Sequence, residues 1–499
     1  MQKGDIIEVI IESVGMDGEG VARQDGIVVF IPFTLFGEKV KCEVTFVKKS
    51  FAKAKVIKLL EASMDRVQPL CPHFRRCGGC DMQHITYEKQ LQIKRENVAN
   101  CLHKYASLDI DVLPVVPSPE NYYYRNKAQF PLFDKDGKVC LGFFKERTHD
   151  FVKIDKCYLL GDWCDKFCNA FLEVANKLKL TCYNEKTQKG LLRHLVLRKL
   201  NNVVSVTIVV NSNKFAYADE FVKNLSKIGI KFSFYVSYNT KNTNLIMYNA
   251  NAMFGEKDIQ TDILGVKTFV NPMSFMQIND DIRDAIYSKV KQLVIDCKSK
   301  IVIDAYSGVG VLTNIIADIA DKVYGIEIVP QAVENANQLA KLNSNQNKII
   351  NICGDSAVEL PKLADNINEQ LLTNSCNQKI ISSKQVIPNS TLNNIDIIGE
   401  NVKLDKQVGK ENQSKTQTNY KKGDFIVILD PPRKGCDTQV LEGLLKAQPK
   451  NIIYISCNPA TLSRDLSILK SHYTPTQIQP YDMFPNTSHI ETLVCLNRK

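Results

Sequence analysis

The spacing of apolar positions changes twice along the chain, and each change predicts a different kind of structure. In residues 1–60, short β-branched runs are separated by glycine-containing turns, which indicates a unit built of strands. Residues 61–269 contain one charged helical stretch, from Glu88 to about Tyr105, and are otherwise rich in strand patterns. In residues 270–499, apolar runs alternate with helical periodicity, which predicts a parallel sheet with helices on both faces. The pattern therefore predicts a multidomain chain of the α/β + β class.

The first sixty residues predict a small closed β-barrel. About five short strands fit into this length, and compact barrels of this kind include modules that bind oligonucleotides. Several lysines late in the unit would line one rim, where they would contact phosphates. These are Lys48, Lys49, Lys53, Lys55 and Lys58.

The third part of the chain carries the pattern of a nucleotide site. KIVIDAYSGVGVLTNIIA predicts a strand, a turn containing Gly308 and Gly310, and a helix. The next apolar strand ends in Glu327, the spacing at which a carboxylate reaches the hydroxyl pair of a ribose. The full dinucleotide fingerprint is absent, and the D-x-x-S-G-x-G form favours S-adenosylmethionine over NAD.

Two later strands add candidate chemistry. FIVILDPPRKG predicts a strand ending at Asp430, and the apolar run Ile452–Ile455 leads into Ser-Cys-Asn-Pro and then a helix. Cys457 is therefore expected at a strand's carboxyl end beside a helix amino-terminus, where the partial positive charge would lower the thiol's pKa. The alternative for this stretch alone is a core cysteine in a strand-to-helix turn. SHIETLVCL, near the end of the chain, offers Glu491.

A cysteine and a carboxylate at one cofactor site suit methylation of uracil at carbon 5. That carbon becomes nucleophilic enough to accept a methyl group when a thiolate adds to carbon 6. A base must then remove the carbon 5 proton, so that elimination frees the cysteine. Cys457 is the candidate nucleophile and Glu491 the candidate base.

Composition and charge narrow the class of protein. The formal net charge of +10 leans towards a polyanionic partner, although charge alone does not establish one. The amino-terminus lacks a signal-peptide pattern and no apolar run would span a bilayer, so we expect a cytoplasmic protein without membrane contact. We also expect a monomer. Cytosolic cysteines indicate metal binding or catalysis before disulfides. Four of the sixteen stand out: Cys71, Cys77, Cys80 and Cys157. By count alone, zinc and an iron–sulfur cluster suit them equally.

The motifs resemble those of a known family. The first sixty residues resemble a TRAM domain, an RNA-binding module, and CPHFRRCGGCDMQH with a later KCYL resembles a four-iron four-sulfur site. NPMSFMQIN, DAYSGVG, DPPRKG, YISCNPATLSRDL and HIETL are similar to bacterial RNA (uracil-5-)-methyltransferases. The TRAM domain and the cysteine cluster together resemble the branch acting on 23S ribosomal RNA.

The resemblance implies roles for individual residues. Gln277, Tyr306, Glu327 and Asp430 would bind S-adenosylmethionine, and the four cysteines would hold the cluster. Phe275 would pack near the target base and Arg433 would help to position the RNA. The target uridine would have to leave its stack to reach Cys457. The aromatic and basic residues of NYYYRNKAQFPL would make the central part an RNA-contacting domain.

Alternative functions are compatible with the sequence, and one segment of the chain departs from the family pattern. The alternatives are a tRNA uracil-5-methyltransferase, and a non-catalytic RNA-binding protein that keeps the methyltransferase fold. A two-cysteine cytosine methyltransferase is disfavoured because Asp430 and two prolines occupy the place of its Pro-Cys pair. Residues 366–422 are dominated by Asn, Gln, Ser, Thr and Lys and predict a flexible insertion in the catalytic domain.

Overall fold

The computed structural model describes residues 1–146, 148–383 and 422–499. None of the helices in these ranges combines the length and the apolar character needed to cross a membrane. The α-helices are α1 (Tyr87–Cys101), α2 (Asp162–Lys177), α3 (Ala218–Leu225), α4 (Asp280–Cys297), α5 (Val311–Ala317), α6 (Pro330–Leu342), α7 (Ser356–Ser383), α8 (Thr438–Ala447) and α9 (Pro459–Leu469).

The amino-terminal part is the predicted barrel. Its strands are β1 (Ile6–Ile10), β2 (Ser13–Val14), β3 (Gly20–Gln24), β4 (Ile27–Ile31), β5 (Lys39–Val47) and β6 (Phe51–Glu61), in the order β1-β5-β6-β4-β3-β2. The chain passes from the edge strand β1 to the opposite edge strand β2 through Ile11 and Glu12, and the Glu12 amide donates to the Val21 carbonyl at 2.8 Å. This link closes the sheet around a core that includes Ile11 and Val29.

The central part contains a mixed seven-stranded sheet. Its strands are β7 (Lys127–Lys135), β8 (Lys138–Phe144), β9 (Phe151–Lys153), β10 (Leu192–Leu200), β11 (Val203–Val210), β12 (Phe232–Tyr238) and β13 (Asn251–Phe254). The order is β13-β12-β11-β10-β7-β8-β9, and all neighbours are antiparallel except β11 and β12. Helices α2 and α3 contribute Phe167, Phe171 and Phe221 to its buried core. The following hairpin, β14 (Ile259–Ile263) and β15 (Val266–Val270), packs instead on α5 and α6.

The carboxyl-terminal part is an open doubly wound sheet, as the alternating pattern predicts. Its strands are β16 (Ile301–Asp304), β17 (Lys322–Glu327), β18 (Ile349–Cys353), β19 (Ile426–Leu429), β20 (Asn451–Ser456), β21 (Tyr473–Tyr481) and β22 (Glu491–Arg498), in the order β18-β17-β16-β19-β20-β22-β21. The first five are parallel, and β22 inserts antiparallel between β20 and β21. The strand order reverses between β16 and β19, which is where ligands bind in such sheets.

Helix α1 packs on the carboxyl-terminal part, although the predicted boundaries put it in the central part, residues 61–269. Val98 and Leu102 lie in the same buried cluster as Leu466 of α9. Downstream, the Val116 amide donates to the Pro480 carbonyl at 2.9 Å, so residues 113–116 extend the edge of the carboxyl-terminal sheet. The apolar face of α1 is therefore buried in the core of the carboxyl-terminal part, and residues 113–116 join the sheet of that part.

The prediction of a flexible insertion over residues 366–422 is wrong for the first third of this segment. Residues 366–383 continue helix α7, and Ile367 and Leu371 are buried on the same face as Leu360 and Ala364. The polar composition conceals apolar residues at helical spacing, which bury one face of the helix. The Gly423 amide donates to Asn368 Oδ1 at 2.7 Å, which fixes the start of the segment leading into β19. Residues 384–421 of the predicted insertion lie outside the described residues.

Candidate functional site

A cavity of about 820 Å³ lies at the carboxyl ends of the central parallel strands. All four residues predicted to bind a cofactor line it: Gln277, Tyr306, Glu327 and Asp430. They come from four separate segments of the chain, which meet because β16, β17 and β19 are neighbours and run in the same direction. The volume is in the range of small-molecule and cofactor sites.

Backbone amides hold the Glu327 carboxylate in the cavity wall. Its Oε2 accepts from the Gly308 amide at 3.1 Å and its Oε1 from the Val329 amide at 2.8 Å. Gly310 has a φ of +82°, and a Cβ at this position would be 3.1 Å from the Ala336 Cβ. Glycine therefore allows the turn to lie close to α6. A carboxylate fixed at this position suits the hydroxyl pair of a ribose.

The central part builds the outer wall of this cavity. Asn126 Nδ2 donates to the Gln277 carbonyl at 3.0 Å and to Asp280 Oδ1 at 2.9 Å. Arg198, which is 3% exposed, donates from Nη1 to the Ser274 carbonyl at 2.8 Å. Between these anchors, the side chain of Phe275 is 79% exposed at the mouth. The aromatic ring is thus available to contact a planar ligand entering the cavity.

The electrostatics of the cavity favour a cationic ligand. Burial, together with a smaller contribution from the neighbouring Asp304, raises the pKa of Asp430 to about 7. Burial likewise raises the pKa of Asp304 to about 6, while Thr313 donates to its Oδ2 at 2.8 Å. Five acidic residues line the cavity against two basic ones. The sulfonium and amino groups of S-adenosylmethionine match this charge, so the residues suit that donor.

Cys457 and Glu491 lie beside each other at the same edge of the sheet. Ser456 of β20 pairs with Thr492 of β22, which puts the next residue, Cys457, opposite Glu491. Asn458 caps α9, because its Oδ1 accepts from the Ala460 amide at 3.0 Å and the Thr461 amide at 3.4 Å. Antiparallel pairing and the cap together fix the cysteine next to the carboxylate.

The predicted lowering of the Cys457 pKa is wrong. Burial raises the pKa of this thiol to about 11, and the negative charges of Glu491 and Asp430 add to the effect, whereas Arg433 opposes it. The first amides of α9 already donate to Asn458, so their partial charge is not directed at the sulfur alone. Burial also raises the pKa of Glu491 to about 8, with Asp430 contributing. The charges of Asp430 and Arg433 therefore act on the pKa of both Cys457 and Glu491, in opposite directions.

A second cavity, of about 300 Å³, is lined by all four predicted ligand cysteines: Cys71, Cys77, Cys80 and Cys157. Arg125, Lys127 and Lys156 also line it, and none of the described residues that line it carries a carboxylate. This surplus of positive charge suits an anionic centre, such as four thiolates around a metal group. In the described parts of the chain, no three His, Cys, Asp or Glu side chains are grouped closely enough to hold a metal ion.

Two contributors to the site were not predicted from the sequence. Asp304 stands in the same DAYSGVG motif as Tyr306, and its position at a strand end was the available signal. Asn126 reaches the site from the central part, and the sequence offers no signal for a contact with Gln277.

Comparisons with known proteins agree with this geometry. A model described as tRNA (Uracil-5-)-methyltransferase matches residues 351–499, the TRAM domain model matches residues 1–57, and a TRM5/TYW2 methyltransferase domain model matches residues 268–410. Proteins described as uncharacterized RNA methyltransferases, from Clostridium acetobutylicum and Halalkalibacterium halodurans, are each 32% identical over 100% of this chain and 98% of their own.

A solved structure shares the whole fold. The Pyrococcus abyssi tRNA (uracil-54, C5)-methyltransferase in complex with S-adenosyl-L-homocysteine superposes with a TM-score of 0.70 and 24% identity, covering 98% of this chain and 100% of that one. This similarity shows the fold, and the full-length relatives together with the family models carry the assignment. The chain belongs to the S-adenosylmethionine-dependent RNA (uracil-5-)-methyltransferases.

Proposed function

We propose that this protein forms 5-methyluridine in 23S ribosomal RNA through a temporary bond between Cys457 and the target base. The observation that carries the proposal is the pairing of β20 with β22, because it puts Cys457 beside Glu491. Both are coupled electrostatically to Asp430, which lines the larger cavity. Nucleophile, base and donor cavity are therefore neighbours.

The first chemical step is addition of sulfur to the ring. The Cys457 thiol must first give its proton to solvent water. A cationic donor entering the acidic cavity would, together with Arg433, lower the raised pKa of this thiol. The sulfur then bonds to carbon 6 of uracil, and the ring's double-bond electrons move onto the carbon 4 carbonyl as an enolate. This makes carbon 5 a nucleophile.

The remaining steps transfer the methyl group and restore the enzyme. Carbon 5 bonds to the methyl carbon as the bond from that carbon to the donor sulfur breaks, leaving a neutral thioether. Glu491, which is 4% exposed and has a raised pKa, removes the carbon 5 proton. The electron pair of the broken carbon 5–hydrogen bond re-forms the ring double bond between carbons 5 and 6, and the Cys457 thiolate leaves carbon 6.

The substrate RNA is the part of the proposal that has a specific rival. The combination of a TRAM domain with four clustered cysteines favours 23S ribosomal RNA by family resemblance. The Pyrococcus abyssi protein of matching fold, however, is described as acting on tRNA, which makes tRNA the second candidate. In either RNA, the uridine must be flipped out to reach Cys457.

We also propose that Cys71, Cys77, Cys80 and Cys157 bind a four-iron four-sulfur cluster. The four cysteines line one cavity of about 300 Å³. The resemblance of CPHFRRCGGCDMQH, with the later KCYL, to a four-iron four-sulfur site favours a cluster over a single zinc ion. The cationic residues beside them, Arg125, Lys127 and Lys156, would balance the negative charge of a thiolate-bound cluster.

Methylation of defined RNAs tests the function. The protein would be incubated with methyl-labelled S-adenosylmethionine and either a 23S ribosomal RNA or a tRNA transcript, and the nucleosides identified by mass spectrometry. We expect labelled 5-methyluridine in the ribosomal RNA and none with Cys457→Ser. Label in tRNA alone would assign the second candidate, and label in neither RNA or on another nucleoside would overturn the proposal.

A further inference from the structure

We infer that Asn486 is a positioning residue for Glu491, and that it links the base to the cysteine-bearing loop. This inference rests on the proposed function, since it concerns how the base of that reaction is held. Asn486 lies in the segment 482–490, which connects β21 to β22 and ends immediately before Glu491. We call this segment the base loop.

Asn486 is bonded through every one of its polar atoms to residues in the first quarter of the chain. Its amide donates to Gln90 Oε1 at 2.9 Å, and its Oδ1 accepts from Gln90 Nε2 at 3.3 Å. Its Nδ2 donates to the Asn121 carbonyl at 2.6 Å. Its carbonyl accepts from the amides of Asp81 and Met82 at 3.3 and 3.1 Å. A surface turn does not require such bonding.

The backbone of Asn486 is in a conformation that the surrounding bonds must maintain. Its φ is +66°, in the left-handed region that most residues avoid, and the residue is 1% exposed. Asparagine tolerates this region better than most side chains. A buried left-handed residue persists when its environment determines the geometry, and such residues concentrate at functional sites.

Other bonds hold the base loop from the same side. Ser488 Oγ donates to Asp81 Oδ2 at 2.9 Å, and the Tyr124 hydroxyl donates to the Pro485 carbonyl at 3.1 Å. Lys94 of α1 forms a buried ion pair with Asp482 at 2.5 Å. The base loop is therefore held along its length by residues 81–124, in addition to the packing of Met483 and Ile490 in the core of the carboxyl-terminal sheet.

These contacts connect the two cavities of the molecule. Asp81 follows Cys80 directly, so the amides and carboxylate that hold Asn486 and Ser488 belong to the loop that carries three of the four clustered cysteines. Disorder in that loop would release the base loop. The result would be a misplaced Glu491, whereas the S-adenosylmethionine cavity, built mainly on β16, β17 and β19, would remain intact.

The test separates the step that needs Glu491 from cofactor binding. Asn486→Gly keeps the positive φ but removes the side-chain bonds to Gln90 and Asn121. A matched control is Asn201→Gly, because Asn201 also has a positive φ, of 50°, and donates one side-chain bond, to Thr261, away from the base loop. The readouts are loss of tritium from carbon 5 of labelled uridine in RNA, the amount of covalent protein–RNA adduct, and the dissociation constant for S-adenosylmethionine.

We expect Asn486→Gly to slow tritium loss at least about tenfold and to accumulate adduct, because a small displacement of a base has a large effect on proton transfer. Its affinity for S-adenosylmethionine and its metal content should stay within about twofold of the wild type, as should all readouts for Asn201→Gly. The inference would be overturned if Asn486→Gly released tritium at the wild-type rate, or if its affinity for S-adenosylmethionine fell by as much as its rate of tritium release.

A second variant covers the case in which Asn486→Gly does not fold. Ser488→Ala removes only the side-chain hydrogen bond to Asp81 Oδ2, and we expect faster hydrogen exchange in the amides of residues 482–490 with unchanged exchange in β16 and β17. Exchange unchanged in the base loop would refute the link. This measurement needs no RNA, so it distinguishes failure of the inference from failure of the proposed function, in which the wild type itself would release no tritium.

Discussion

The two groups of cysteines in this molecule are held in different ways. Cys457 follows a buried strand, faces a residue of the neighbouring strand and precedes a capped helix, so regular elements determine its position. Cys71, Cys77 and Cys80 lie in a segment without strands or helices, and Cys157 comes from another loop. The proposed nucleophile is therefore positioned by the sheet, whereas the position of the clustered cysteines should depend on the metal group that we propose they bind. Substitutions in the two groups should have opposite consequences for chemistry and for stability.

The largest effect should come from Cys457. Cys457→Ala removes the nucleophile, and we expect turnover to fall by at least about 10³-fold. Because the sheet positions this residue, the thermal midpoint should change by less than about 2 °C, and S-adenosylmethionine affinity should be retained. Methylation assays, calorimetry and titration check these three points. Residual turnover near the wild-type level would exclude the covalent route.

Glu491→Gln should affect the same site at a later step. The amide cannot accept the carbon 5 proton, so we expect turnover to fall about 10²- to 10⁴-fold and a covalent protein–RNA adduct to accumulate. Denaturing gel electrophoresis with labelled RNA detects the adduct. If no adduct forms while RNA and S-adenosylmethionine still bind, Glu491 is not the base.

Cys80→Ser tests the other side of the comparison. If the proposed cluster is present, losing one of its four proposed ligands should remove most of the iron and lower the thermal midpoint by at least about 5 °C, since metal binding stabilises a folded loop. Anaerobically purified wild type should be brown and contain iron and sulfide. Cys168→Ser, a buried cysteine of α2, is the control that should keep its iron. A colourless wild type containing zinc would contradict the cluster.

The buried base should make stability depend on pH. The pKa of Glu491 is raised from 4.5 to about 8 in the folded state, so folding favours its protonated form. This contribution is fully present below about pH 4.5 and is lost as the pH rises towards 8. We therefore expect the wild type to lose on the order of 1–3 kcal/mol relative to Glu491→Gln across this window. Urea unfolding at several pH values measures the free energy of unfolding of both proteins. A difference between them that does not change with pH would contradict the prediction.

Phe275→Ala should have the smallest effect. The side chain is largely exposed, so the free energy of unfolding should change by less than about 0.5 kcal/mol. If the ring stacks on the target base or its neighbour, kcat/KM for RNA should fall about tenfold, with the affinity for S-adenosylmethionine unchanged. If Phe275→Ala keeps the wild-type kcat/KM, Phe275 does not contribute to RNA binding.

The predictions that succeeded concerned regular elements. The barrel and the doubly wound sheet follow from local periodicity, and strand ends indicated that Glu327, Asp430 and Cys457 would meet at one edge. The pKa of Cys457 was predicted in the wrong direction, because burial and the charge of Glu491 outweigh the helix terminus. Helix α1 and Asn486 form their decisive contacts with residues hundreds of positions away. Periodicity carries no information about such contacts.

The ion pair between Lys94 and Asp482 limits how the chain can be divided. Both side chains are at most 1% exposed, and they join residues near opposite ends of the sequence. A fragment beginning at residue 270 would leave Asp482 buried without its cation, at a cost of about 3–5 kcal/mol, and would uncover the apolar surface that α1 protects. The smallest autonomous catalytic fragment should therefore begin upstream of Tyr87, although its sheet starts more than two hundred residues later.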